Sequence, residues 1–130
     1  MKFSIIAFFS FLFGACQPVA EGVRVIPVKE FAEFIMQTDV QILDVRTLEE
    51  FETGHIHGAM MIDYRTDPDG FLEKAEALLL KDKPVALYCR SGKRSHAAAE
   101  VMLKKGFKQI VELDGGIIAW QEAEMRIETK

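Results

Sequence analysis

The chain reads as an α/β domain, a mostly parallel five-stranded sheet with helices on both faces. Two observations predict it. Short runs rich in Val, Ile, Leu or Met recur at 23–26, 41–45, 59–63, 84–88 and 109–113. Helix-patterned stretches separate them, and strands that alternate with helices pair in parallel through crossovers that cover both faces of the sheet.

Each element has its own signal. VRVI (23–26) is the first strand. After Pro27, VKEFAEFIMQ puts Val28, Phe31, Phe34 and Ile35 on one helical face. QILDV (41–45) is the second strand. Thr47 is placed to cap LEEFE, Glu50 completes a capping box, and Gly54 stops the turn. AMMID (59–63) is the third strand, RTDPDG (65–70) a loop, and FLEKAEALLL a helix. PVALY (84–88) is the fourth strand, and HAAAEVMLKK is a helix closed by Gly106. QIVEL (109–113) is the fifth strand, Gly115-Gly116 a tight turn, and IIAWQEA a short helix. Ligands of such sheets sit beyond the carboxyl ends of the strands, where Cys89, Asp44–Arg46 and Asp114–Gly116 all fall.

At 130 residues the chain is one domain, large enough to bury about two-thirds of its unfolded surface. The net charge of −4 argues against nucleic acid as the main partner. No internal repeat or low-complexity stretch occurs. Residues 1–15 read as a signal peptide, 16–22 as a tether and 23–130 as the folded domain. Met1-Lys2 supplies a positive start and residues 3–13 an apolar run. That run is shorter than the ~20 residues that span a bilayer and suits the central region of a signal peptide. Gly14-Ala15-Cys16 resembles a bacterial lipoprotein cleavage site, where the cysteine becomes the N-terminus and carries lipid. Phe13 stands where such sites usually have Leu, and ordinary secretory cleavage near Ala20 is the alternative. The expected location is the bacterial cell envelope, as a periplasmic lipoprotein or a secreted protein.

With Cys16 lipidated, Cys89 is the lone thiol, in a compartment where an unpaired structural cysteine is a liability. Cys89 closes the apolar run PVALY. Arg90, Gly92, Lys93 and Arg94 follow, and then a helix begins. Loop amides, the amino end of a helix and neighbouring cations stabilise negative charge, so this setting suits thiolate chemistry. The bland alternative is a small buried apolar cysteine.

Three further motifs sharpen that reading. They are Asp44-Val45-Arg46 with Glu50-Phe51, Gly54-His55-Ile56 and Gly58-Ala59; the run CRSGKR (89–94); and Asp114-Gly115-Gly116 with Trp120. In this order they resemble the signatures of the rhodanese family, from about Val25 to about Gln121. The resemblance implies a rhodanese-like fold and a sulfurtransferase. Cys89 would take a sulfane sulfur from a small-molecule donor such as thiosulfate and pass it, as a persulfide, to a thiophilic acceptor such as cyanide or a thiol. It implies an active-site loop of Arg90, Ser91, Gly92, Lys93, Arg94 and Ser95 whose amides wrap the sulfur. Arg94 matches the family's loop arginine, placed to stabilise the thiolate and bind an anionic donor. No cofactor is called for.

Other residues carry blander expectations. Asp44 and Arg46 read as an ion pair holding the loops rather than as catalytic groups. His55 and His57 share a face of an extended segment, but no third ligand and no C-x-x-C accompanies them, so no metal is expected. Trp120 reads as core. Two other functions compete. A cysteine phosphatase or arsenate reductase is one; phosphatases place five residues between Cys and Arg, whereas four separate Cys89 from Arg94 and the next residue is Ser95. A tethered sulfur carrier or interaction module with little turnover needs the same fold and less chemistry.

The leader generates a prediction. Two or more acyl chains give stable anchoring, so Cys16→Ala should release the protein from the membrane fraction or stall its processing. Mass spectrometry of the mature N-terminus checks this, and an unacylated chain starting near Glu21 is the contrary result.

Overall fold

The computed structural model describes residues 22–129; the expected leader, cleavage site and Cys16 lie outside the described residues. The five expected strands form one sheet of β1 (Gly22–Ile26), β2 (Gln41–Asp44), β3 (Met60–Met61), β4 (Val85–Tyr88) and β5 (Gln109–Leu113). Their order is β1-β5-β4-β2-β3 and every pairing is parallel. Five helices connect and flank them: α1 (Val28–Phe34), α2 (Leu48–Thr53), α3 (Pro68–Leu78), α4 (Lys93–Lys104) and α5 (Gly116–Glu122).

Side chains alternate across the sheet with period two. One face carries Leu43, Val45, Val85, Leu87, Cys89 and Ile110 against Phe71 and Ala75 of α3 and Ala98, Ala99 and Met102 of α4. The other carries Ile26, Ala86, Tyr88, Val111 and Leu113 against Phe31 and Phe34 of α1 and Ile117 and Trp120 of α5. Ala98 and Ala99 of α4 are wholly buried, which lets that helix lie close to the sheet. Central β4 is buried at every residue, so its carboxyl end is the best-anchored point of the rim.

Several boundaries differ from the sequence reading. β1 takes in Gly22, the end of the segment read as a tether. β3 shrinks to Met60–Met61 because this edge strand pairs only with Leu43 and Asp44. α3 starts at Pro68, inside the run read as a loop: the Asp67 side chain accepts the Gly70 N–H at 2.9 Å, and Pro68 takes the first helical position. α4 starts at Lys93 rather than His96. Gly92, with φ +117, ends the loop there, so Lys93, Arg94 and Ser95 form the first helical turn.

The loop after β4 is held from outside. Ile117 N–H donates to the Cys89 carbonyl at 2.9 Å and Ile118 N–H to that of Arg90 at 3.2 Å. Gly116, with φ +62, makes this approach possible, since a Cβ there would lie 2.4 Å from Arg90 O and 2.7 Å from Cys89 O. Neither is tolerable, and neither atom is the movable end of a side chain. Gly116→Ala should therefore cost about 1–3 kcal/mol, read as a lower denaturant midpoint with an unchanged slope. At Gly92 a Cβ would meet nothing within 4 Å, so Gly92→Ala should cost only the strain of its φ.

Candidate active site

Cys89 follows the last residue of β4 and is 1% exposed. Gly92 N–H donates to its Sγ at 3.0 Å, and the thiol donates to Ser95 Oγ at 3.5 Å. The amides that open α4 have no acceptor within their own helix, and the helix dipole adds partial positive charge at this end. The loop and first turn thus bring together Cys89, Gly92 and Ser95. Arg90, Ser91 and Lys93 are exposed and edge the loop.

Arg94 has a partner that the sequence reading did not assign. Its guanidinium forms a two-point pair with Glu50 of α2, at 2.8 and 2.9 Å. Glu50 also closes the expected capping box, accepting from Thr47 N–H at 3.0 Å while its own N–H donates to Thr47 Oγ1 at 3.3 Å. One carboxylate therefore caps α2 and ties it to the turn behind Cys89. The Arg94 hydrogen bond, which outweighs partial burial and is helped by Thr47, brings the Glu50 carboxyl down to about 2. The same pairing raises Arg94.

Asp44 and Arg46 are both buried. Arg46 Nη2 lies 2.6 Å from Asp44 Oδ2 and donates to the Gly54 carbonyl at 2.6 Å. Burial works against the Arg46 charge, but the hydrogen bond and charge of Asp44 outweigh it and raise the guanidinium. Arg46 also sits 5.7 Å from the centre of the Tyr88 ring, whose hydroxyl accepts the Ile56 N–H at 3.0 Å. Burial and the Asp44 carboxylate push that hydroxyl up. This network fixes the segment from Gly54 to Ile56 against β4 and β2.

His55 and His57 are engaged elsewhere. His55 stacks on Phe51 with ring centres 3.7 Å apart and pairs through its backbone with Glu128; His57 pairs with the Glu128 carboxylate. Trp120 lies in the core, edge-on to Phe31, and its Nε1 donates to Arg126 O at 2.9 Å.

One residue beside the thiol escaped the sequence reading. Glu112, in the middle of β5, is 3% exposed. Its Oε1 accepts from Ser95 Oγ at 3.2 Å, and its Oε2 lies 3.2 Å from His96 Nδ1. The available signal was a charge inside the apolar strand QIVEL, in phase with inward-facing Ile110.

The rhodanese-like domain family matches residues 27–123, which contain Cys89, its loop, and the Glu50, Asp44, Arg46 and Glu112 contacts around it. The chain belongs to the rhodanese-like domain family. A sulfurtransferase of Allochromatium vinosum is 37% identical over 82 residues, covering 63% of this chain and 72% of that protein. A tRNA uridine(34) hydroxylase of Chlamydia caviae is 36% identical over 107 residues, 79% of this chain but 32% of that protein; the chain thus spans about a third of such relatives. Among solved structures, a rhodanese-related protein of Thermoplasma volcanium has a TM-score of 0.70 and 29% identity, covering 82% of this chain and 99% of that one.

In this rhodanese-like domain the Glu50 pair should appear in acid unfolding. A carboxyl that titrates lower in the folded than in the unfolded chain contributes fully above the unfolded value. Its contribution fades as pH falls from about 4.5 towards about 2. The pair is partly exposed, so screening leaves it on the order of 1 kcal/mol. Glu50→Gln should lower stability at neutral pH by that amount and flatten the fall between those two values. Denaturant midpoints measured along the acid limb check both.

Proposed function

We propose that this domain is a sulfurtransferase of the thiosulfate:cyanide type, with Cys89 as nucleophile and sulfur carrier. The observation that carries the reading is the Gly92 N–H directed at the Cys89 sulfur, 3.0 Å away, at the amino end of α4. The thiolate attacks the outer sulfur of thiosulfate. An S–S bond forms to Cys89, the bond to the sulfonate sulfur breaks, and sulfite leaves with that electron pair. Cyanide or a thiol then attacks the outer sulfur of the persulfide and releases the Cys89 thiolate. Amides placed before the reaction stabilise negative charge on either sulfur at no reorganisation cost. Exposed Arg90 and Lys93 draw the anionic donor to the loop, while Arg94, held by Glu50, braces the turn and adds positive potential. Asp44 and Arg46 act as supports.

The size of the loop favours sulfur over phosphate. Four residues separate Cys89 from Arg94, and a phosphoryl group needs a wider ring of donors around three oxygens. A misplacement of about 1 Å can cost on the order of 100-fold in rate. Transfer-RNA hydroxylation, the activity in the names of the longer relatives, fits less well: net charge −4 gives no electrostatic basis for holding a polyanion. For the whole chain we propose a lipid-tethered enzyme in the cell envelope, on the strength of the Gly14-Ala15-Cys16 motif.

The protein incubated with thiosulfate should gain the mass of one sulfur on Cys89, and cyanide should remove it as thiocyanate. Cys89→Ser should abolish both, because serine neither ionises readily nor carries sulfur. Aryl phosphate hydrolysis by the unaltered protein, lost in Cys89→Ser, would replace this assignment with a phosphatase.

A further inference from the structure

We propose that Glu112 is a positioning residue for sulfur transfer, the base that receives the Cys89 thiol proton through Ser95. The proposal rests on the sulfurtransferase reading and deepens it. Glu112 is flanked in register by Val25 of β1 and Leu87 of β4. A carboxylate among apolar strands costs free energy unless it is compensated, and its compensation leads straight to the nucleophile. Ser95, with no exposed surface, stands 3.2 Å from Glu112 Oε1 and 3.5 Å from Cys89 Sγ. A hydroxyl has one proton to give. Two acceptors stand 3.2 Å from Ser95 Oγ, the Gly92 carbonyl and Glu112 Oε1; when the proton goes to Glu112, a Ser95 lone pair faces the thiol, which donates in turn. A thiol that is 1% exposed has little access to water as a base; this path supplies one.

The step moves protons only. The S–H bond of Cys89 breaks and its proton goes to Ser95 Oγ, while the Ser95 O–H proton goes to Glu112 Oε1. The S–H electron pair stays on sulfur. Ser95 is a hydroxyl before and after, and Glu112 ends as a neutral carboxylic acid with Oε2 still facing His96. One negative charge thereby moves from an apolar strand to a sulfur that faces Gly92 N–H and the amino end of α4. When the acceptor takes the sulfane sulfur and leaves a thiolate, the proton returns by the same path.

The charged groups around this path are few. Arg94 lies near Cys89 with Glu50 upon it, Arg90 and Lys93 edge the loop, and Asp44 and Arg46 pair with each other on β2. His96 faces Glu112, with Glu100 on its far nitrogen. The parts of β1, β4 and α5 beside the path present Val25, Leu87, Gly116 and Ile117, which carry no charge. Because the proton moves internally, the ratio of thiol–carboxylate to thiolate–carboxylic acid does not change with pH while the pair holds one proton.

The test is the rate of Cys89 alkylation by iodoacetamide as a function of pH. The unaltered protein should give a level profile between about pH 6 and about pH 8, whereas Glu112→Gln should climb about tenfold per pH unit towards the ~8.5 of an ordinary thiol. Ser95→Ala should climb in the same way, and the double variant should be no worse than either. His96→Gln should keep the level profile. A climbing profile in the unaltered protein, a level one in Glu112→Gln, or an equal loss at every pH would overturn the proposal, the last because a merely structural role acts that way. Loss of the level profile in His96→Gln would move the acceptor to the imidazole and overturn it too. If Glu112→Gln does not fold, Ser95→Ala and the unaltered profile decide. Alkylation needs no sulfur donor, so a level profile without thiocyanate production overturns the sulfur assignment alone.

Discussion

The carbonyls of Cys89 and Arg90, where β4 ends and the loop begins, need hydrogen-bond donors of their own. The first turn of α5 supplies them. Its amides lack partners within the helix, and Ile117 and Ile118 satisfy the carbonyls of Cys89 and Arg90 instead. Two sets of otherwise orphaned backbone groups thus meet each other's need. The contact is close enough that only a glycine at 116 admits it. The site therefore depends on a backbone-to-backbone seam between the end of β4 and the start of α5, and the placing of Cys89 rests on that seam.

Around it, charge is used to tie elements together. Arg94 and Glu50 link α4 to α2 across 44 residues of sequence. Arg46 and Asp44 link β2 to the Gly54 carbonyl, and Glu112 links β5 to the first turn of α4. Buried charges are expensive unless paired and hydrogen-bonded. Among the described residues no buried side-chain nitrogen or oxygen lacks a partner. The rim is consequently tied down around Cys89, while Arg90, Ser91 and Lys93 at its edge stay exposed.

Much of the fold was legible in the sequence because the strands differ so sharply from their surroundings. Five apolar runs, a capping box at Thr47 and Glu50, and glycines at 54 and 106 place the elements within a few residues. Where the starts of α3 and α4 moved, a local signal reads as loop. Asp67-Pro68 is a helix start, and Gly92 ends its loop one turn earlier than the alanine run suggested. The position of Cys89 at a strand's carboxyl end was legible for the same reason. The Arg94–Glu50 pair and the Glu112–Ser95 contact were not, because each joins segments far apart in the chain and sequence spacing carries no distance between them.

The sequence by itself determined the order and parallel pairing of the elements, the family, and the placing of one cysteine before a helix. Periodicity and composition encode these, since apolar runs must be covered and parallel strands need crossovers. Only the tertiary structure decided that Arg94 is held by Glu50, that Gly116 is a contact rather than a turn, and that a buried carboxylate stands behind the serine beside the thiol. Those are matters of approach within a few ångströms, set by how the helices settle on the sheet, and packing in three dimensions fixes them rather than the run of residues along the chain.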